Sequence, residues 1–295
     1  PARPRLRPHR TVASMKTRPF GATPVRLLLS AAFIAMVAAN LIPLAWGVLT
    51  SFKSEPDLFR FPPTFLNFEP TLDNYRRVFA SGFGWSFSVS LLYAGAAVVM
   101  ALTLALPAAY AFDRFEFPLR QPLFLLIVAC IPLSIGAAAL IIPNYVTFSR
   151  LGLTNTPIAL PLIYTAHQLP MAIWILKGMI ESVPRELDEA AIIDGAGVFG
   201  ILRHVILPIA KPALGAAAIL TFVGAWNEFT AGAVMVDDPS LKPIQPVIYG
   251  FIGYFGREWG PLTAAASLAI LPILIVFAAF GRLIVSGLTK GSVKG

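Results

Sequence analysis

The chain has 295 residues, 57% of them hydrophobic and only 13% charged, with a mean hydropathy of +0.73. That composition excludes an ordinary soluble domain. The net charge of +8 does not argue for nucleic acid, because the basic residues flank apolar runs, where anionic lipid headgroups attract them.

A helix needs about 20 mostly apolar residues to cross a hydrocarbon core. Six stretches qualify, at about 27–51, 86–112, 122–146, 157–180, 208–236 and 261–285. Ahead of them, residues 1–26 are basic and Pro-rich, which predicts a disordered or surface-lying segment. The first apolar stretch outruns the roughly 7–15 residues of a signal-peptide core, so it is read as an uncleaved span. With the N-terminus placed in the cytoplasm, sixteen of the 23 Lys and Arg fall inside and seven outside. The positive-inside rule therefore predicts both termini cytoplasmic.

Span 1 is followed by an external segment of about 33 residues. Within it Leu72, Tyr75 and Val78 recur at helical spacing and predict a short interfacial helix. Pro132, Pro161 and Pro170 fall inside spans 3 and 4. Each removes a backbone donor and frees a carbonyl, which suggests a bundle that bends or lines a path. The single Cys130 leaves no partner for an internal disulfide. No internal repeat suggests an inverted-repeat secondary transporter.

Between spans 4 and 5 lies a charged island, "PRELDEAAIIDGAGVFGILRHVILPIAKP". Glu186 and Asp188 suit the positive end of a helix dipole. Leu187, Ala190 and Ala191 share one face, small enough for another surface to approach closely. Gly195 permits a left-handed turn, and Val198, Ile201, Leu202 and Val205 resume helical spacing. The charge count places this helix–glycine–helix on the cytoplasmic face. His204 has no neighbouring ligand set, so neither a metal nor a catalytic residue is assigned anywhere in the chain.

"EAAIIDGAGVFGILRHVILP" resembles the EAA loop of ABC importer permeases. Glu189, Ala190, Ala191, Asp194, Gly195, Ala196, Val205, Leu207 and Pro208 match in register. Leu202 stands where Phe is common, and Gly197 where Ser or Thr is common. "TSFKSEPDLFRFPP", "TLDNYRRVF", "AAYAFDRFEFP", "AIWILKGMIESVPRELDEAA", "AWNEF" and "GLTKGSVKG" are similar to the carbohydrate-importer branch of the MalG type. Val89 and Leu119 depart from its usual Asn and Gly.

The resemblance implies an all-α membrane protein of six transmembrane helices with the type I (MetI-like) permease fold. Its domain would run from 27 to 286, with a coupling loop at 184–208 and a cytoplasmic tail at 287–295. It implies that the loop enters a cleft on an ATPase, and that Thr289, Lys290 and Lys294 reach the same subunit. The implied partners are a second, MalF-like permease, two copies of an ABC ATPase and an extracytoplasmic sugar-binding protein. The chain has no G-x-x-x-x-G-K-[ST], so it is read as no enzyme and without a cofactor of its own, with ATP and Mg on the partner.

Candidates for the solute path are His167, Gln168, Trp226, Asn227 and Glu228. A carboxylate within a span suggests function by default, yet Glu228 counts to near the external boundary, where a structural hydrogen-bonding role competes. His167 and Gln168 either satisfy carbonyls freed by Pro170 or line the path toward sugar hydroxyls. Trp174 and Trp226 either stack on sugar faces or anchor the bundle. Alternatives to a sugar permease are an ABC permease for another solute or an ion-coupled transporter, the latter disfavoured by scarce mid-membrane carboxylates.

Overall fold

A computed structural model describes the backbone over residues 23–135, 140–253 and 256–291, and side chains over 26–132, 140–253 and 258–281. The segment 1–22 and Lys294 therefore lie outside the described residues. The chain divides into two units, 1–46 and 47–295. The first holds most of α1 (Thr23–Thr50), an apolar helix with Pro43 inside it. There Asn40 returns its amide to the Met36 carbonyl at 2.7 Å, satisfying itself within the helix.

The second unit continues with α2 (Glu55–Leu58), α3 (Asp73–Ala80), α4 (Phe83–Arg114), α5 (Arg120–Ile135), α6 (Ile141–Arg150) and α7 (Ala159–Glu181). Next come α8 (Glu186–Ile193), α9 (Val198–Ile201), a π-helical turn (Leu202–Ile206), α10 (Leu207–Ile209), α11 (Lys211–Trp226), α12 (Thr230–Val234) and α13 (Ile244–Gly250). A two-stranded antiparallel pair, β1 (Ile252–Gly253) with β2 (Gly256–Arg257), precedes α14 (Trp259–Gly291).

Among the described residues four helices are single apolar spans: Arg26–Thr50, Phe83–Arg114, Ala159–Glu181 and Trp259–Gly281. The expected fifth span, 208–236, corresponds to Lys211–Val234, which meets the preceding piece Val198–Ile209 at a bend of 81°. Pro208 and Pro212 bracket the bend and supply no N–H to the preceding turns. The expected third span, 122–146, is divided between α5 and α6, and residues 136–139 between them are not described. Its apolar helix, Arg120–Pro132, is shorter than the others.

Ala94, Ala97, Ala101, Ala105 and Ala109 form a fully buried stripe along α4. Spacings of three and four keep them on one face, and α7 packs against α4 more extensively than any other element does. Two apolar clusters lie along this contact. One joins Phe83, Tyr93 and Ala97 to Leu160, Tyr164, Trp226, Ile244 and Ala265. The other joins Ala105 and Tyr110 to Leu176, Ile180, Ile201 and Ile206. Since α4 and α7 both begin in the first cluster and end in the second, they run parallel, whereas α11 runs against them.

The predicted interfacial helix is α3. Val78 and Asn74 face inward, while Leu72 stays exposed and precedes the helix. Asn74 Nδ2 donates to the Ser51 and Lys53 carbonyls, both at 2.9 Å, and the Tyr75 hydroxyl lies 2.7 Å from Ser51 Oγ. This latch ties the turn that follows α1 to α3, and the bare Gly260 at the start of α14 seats on it.

Candidate functional site: a helix–glycine–helix segment

The charged island lies against the end of α4 and α7 opposite that latch. α8 is capped by a Schellman arrangement: Ala196 N–H donates to the Ala191 carbonyl and Gly195 N–H to that of Ile192, both at 2.9 Å. Gly195 has φ +83° and no heavy atom within 4 Å of where a Cβ would stand. The need for glycine there is purely backbone conformation. After α9 the chain winds into the π turn, where His204 Nδ1 lies 3.1 Å from the Gly200 carbonyl. Pro208 cannot donate back to that turn, and the segment leaves into α11 through the bend.

The two faces of α8 differ sharply. Asp188 and Ala191, one turn apart, point into the bundle, with Asp188 only 6% exposed. Glu189, Ala190 and Asp194 stay on the outside. So do Ile193, at 85% exposure, and Phe199, at 75%, with Ile192 beside them. The expected single face of Leu187, Ala190 and Ala191 is thus split, because Ala191 and Ala196 are half-buried against the second apolar cluster. Leu207 is exposed at the far end of the segment. Pro184 precedes the helix and does not occupy its first turn.

The path candidates fall elsewhere. Trp226 is buried in the first cluster, stacked on Phe222 at 5.7 Å between ring centres and set edge-on to Phe87 at 5.4 Å. Its indole N–H donates to the Ala269 carbonyl at 3.0 Å, in the turn loosened by Pro272. Asn227 donates to the Val223 carbonyl at 2.9 Å, and Gln245 donates to that of Trp226 at 3.0 Å. These bonds satisfy the end of α11, where the helix stops inside the expected span. Glu228 accepts from Ala231 N–H at 3.0 and 2.9 Å, holding a carboxylate at the positive end of α12. His167 is buried with Nε2 unpartnered among the described residues, and Gln168 lies against α11 where Gly224 leaves room. Trp174 is half-exposed. Thr289 and Lys290 belong to α14, whose helix runs through the predicted tail to Gly291.

The model of the family described as binding-protein-dependent transport system inner membrane component matches residues 98–290. The chain belongs to this family. The trehalose/maltose transport system permease protein MalG of Thermococcus litoralis is 33% identical to the permease over 92% of this chain and 97% of its own. The sulfoquinovosyl glycerol transport system permease protein SmoH of Agrobacterium fabrum is 34% identical, covering 94% and 95%. The diacetylchitobiose uptake system permease protein DasC of Streptomyces coelicolor is 31% identical, covering 89% and 94%. A chain of a bacterial ABC transporter involved in the import of the acidic polysaccharide alginate superposes with a TM-score of 0.73 at 21% identity, over 90% of this chain and 99% of that one. That likeness establishes the shared permease fold, and the protein is a multi-pass membrane component.

Sequence reasoning missed one group in the permease: Arg114 of α4, whose Nε donates to Asp188 Oδ2 at 2.6 Å. "AAYAFDRFEFP" was legible as a family stretch, but an ion pair across 74 positions has no periodic signature. The exposed Ile192, Ile193 and Phe199 were also passed over, although three large apolar side chains between charged positions are themselves a signal of a covered surface.

Proposed function

We propose that this permease forms half of the translocation path of an ATP-driven carbohydrate importer, and that residues 184–208 are its coupling segment to a cytoplasmic ATPase. The observation that carries the reading is the outward face of the segment. Ile193 and Phe199 stand open to solvent beside Glu189 and Ala190, while the inward face is locked to the bundle. An apolar patch rimmed by charge is what a docking surface requires. Carbohydrate as cargo is supported by the trehalose/maltose and diacetylchitobiose relatives.

ATP and Mg then act on the ATPase, and this chain needs no cofactor. The partners are two ATPase copies, a second, MalF-like permease, and an extracytoplasmic sugar-binding protein. The last is supported by an alginate ABC transporter of related fold solved with an alginate pentasaccharide-bound periplasmic protein. Both termini lie in the cytoplasm, residues 27–286 form the permease domain, and Thr289, Lys290 and Lys294 approach the ATPase. His167 and Gln168 line the path. ATPase closure shifts the segment, and the bundle changes the side to which it opens.

The test exploits the exposure of Ala190 on the outward face of α8. Overpacking a close contact costs about 1–3 kcal/mol, whereas one surface ion pair is worth about 0–1 kcal/mol. Ala190→Trp is expected to lose ATPase co-purification and uptake at unchanged membrane abundance, with Glu189→Gln milder. Full uptake by Ala190→Trp would overturn the coupling reading.

A further inference from the structure

The coupling segment is covalently joined to α7 before it and α11 after it. α4 has no such connection, yet its last turn holds the segment through charge. Arg114 Nε donates to Asp188 Oδ2 at 2.6 Å, one terminal nitrogen to Asp113 Oδ2 at 2.6 Å, and the other to the Val183 carbonyl at 2.8 Å. Arg185 returns a bond to the Asp113 carbonyl at 3.1 Å, so each side holds the other. The Arg114 and Asp188 side chains are only 8% and 9% exposed, the Tyr110 hydroxyl lies 3.5 Å from Asp188 Oδ2, and Ile180, Val183, Ile201 and Ile206 belong to the apolar cluster at this end of the bundle. Asp188 Oδ1 is buried without a partner among the described residues. Arg114 is therefore the cation that compensates it.

We propose that Arg114 is a positioning residue for transport: with Asp188 it forms a strut that carries displacement of the coupling segment directly into α4. The inference rests on the reading of 184–208 as the ATPase-coupling segment. Apolar contacts alone are non-directional and permit a packed surface to slide. A guanidinium fork on three acceptors fixes both position and angle, and the compact ammonium of lysine does not reproduce it. Shielding from water leaves the attraction within the pair little screened, and removal of one partner leaves an uncompensated buried charge. Movement of α8 must then either break the pair or take the end of α4 with it. Since α4 carries the alanine stripe packed on α7, both parallel helices of the bundle respond together.

The experiment uses the whole importer, permeases with ATPase and binding protein, in proteoliposomes. Arg114→Lys, Arg114→Gln and Asp188→Asn are compared for membrane abundance, ATPase co-purification and solute taken up per ATP hydrolysed. Mutations within coupled networks typically change coupling by about twofold to thirtyfold. The expected result is a fall of that size in uptake per ATP, larger for Gln than for Lys, with the ATPase still bound. An unchanged ratio in all three variants would overturn the strut. So would a loss of uptake that follows abundance alone in all three, which would make the pair a support of the fold. The coupling reading fails separately, through Ala190→Trp keeping full uptake, whatever the Arg114 variants do.

Discussion

Gly195 shows how narrow a requirement one residue can carry. Its φ of +83° closes the Schellman cap of α8, and the space where a Cβ would stand is empty. A Cβ there meets nothing within the chain, so the left-handed backbone is the strain that a substitution brings. L-residues pay about 1–2 kcal/mol in that region, β-branched ones most, and asparagine least. Gly195→Val is expected to reduce uptake severalfold, with Gly195→Asn close to the parent, measured as initial uptake normalised to membrane abundance. Valine performing as well as asparagine would mean that the turn is not what the segment needs. Glu228 illustrates the opposite case: a carboxylate that stands out in an apolar run, yet spends its oxygens on the N–H groups of α12.

Among the elements, the latch between α3, α14 and the turn at Ser51–Lys53 is sharply fitted. A Cβ on Gly260 would collide with Asn74 Oδ1, and Asn74 is held in place by its bonds to two carbonyls. Gly260→Ala is expected to destabilise the assembled protein by about 1–3 kcal/mol, the usual cost of overpacking, read as a lower midpoint in detergent thermal denaturation. An unchanged midpoint would show that the latch yields. Gly224 makes a useful contrast, since its neighbour is the flexible end of Gln168 and the same change should cost less. Elements were legible in the sequence where they follow from apolar length and period. α4, α7 and α14 announce themselves as runs, and α3 through its spaced Leu72, Tyr75 and Val78. The break of α11 at Trp226 was not legible, because Asn227 and Glu228 sit inside an otherwise apolar window. What ends the helix there is bonding: Asn227 turned back on Val223, and Gln245 reaching Trp226 from nineteen residues beyond.

For the whole molecule, motif and partnership separate in the same way. The coupling segment is readable because its residues are consecutive. Its anchorage to Arg114 is not, because sequence records charges and leaves their partners unstated. The orientation in the membrane is a prediction at this scale. Sixteen Lys and Arg on one side against seven on the other is a large imbalance under the positive-inside rule. Cysteines introduced at Arg60 and Lys290 are expected to react with an impermeant reagent from opposite faces of the membrane. Labelling of both from one face would refute the arrangement.

The bend at Ala210 also bears on how the chain enters a bilayer. α11 has 16 residues and so reaches about 24 Å at 1.5 Å per residue, and only with α12, which carries the same piece on to Val234, does it match a hydrocarbon core of roughly 30 Å. The 81° turn prevents the preceding pieces from extending it. Its far end is completed by Asn227 and Gln245, and its indole is tied to α14, which emerges more than thirty residues later. α11 is thus a span only in company: α12 continues it, and Gln245 and α14, both later in the chain, supply partners for its far end.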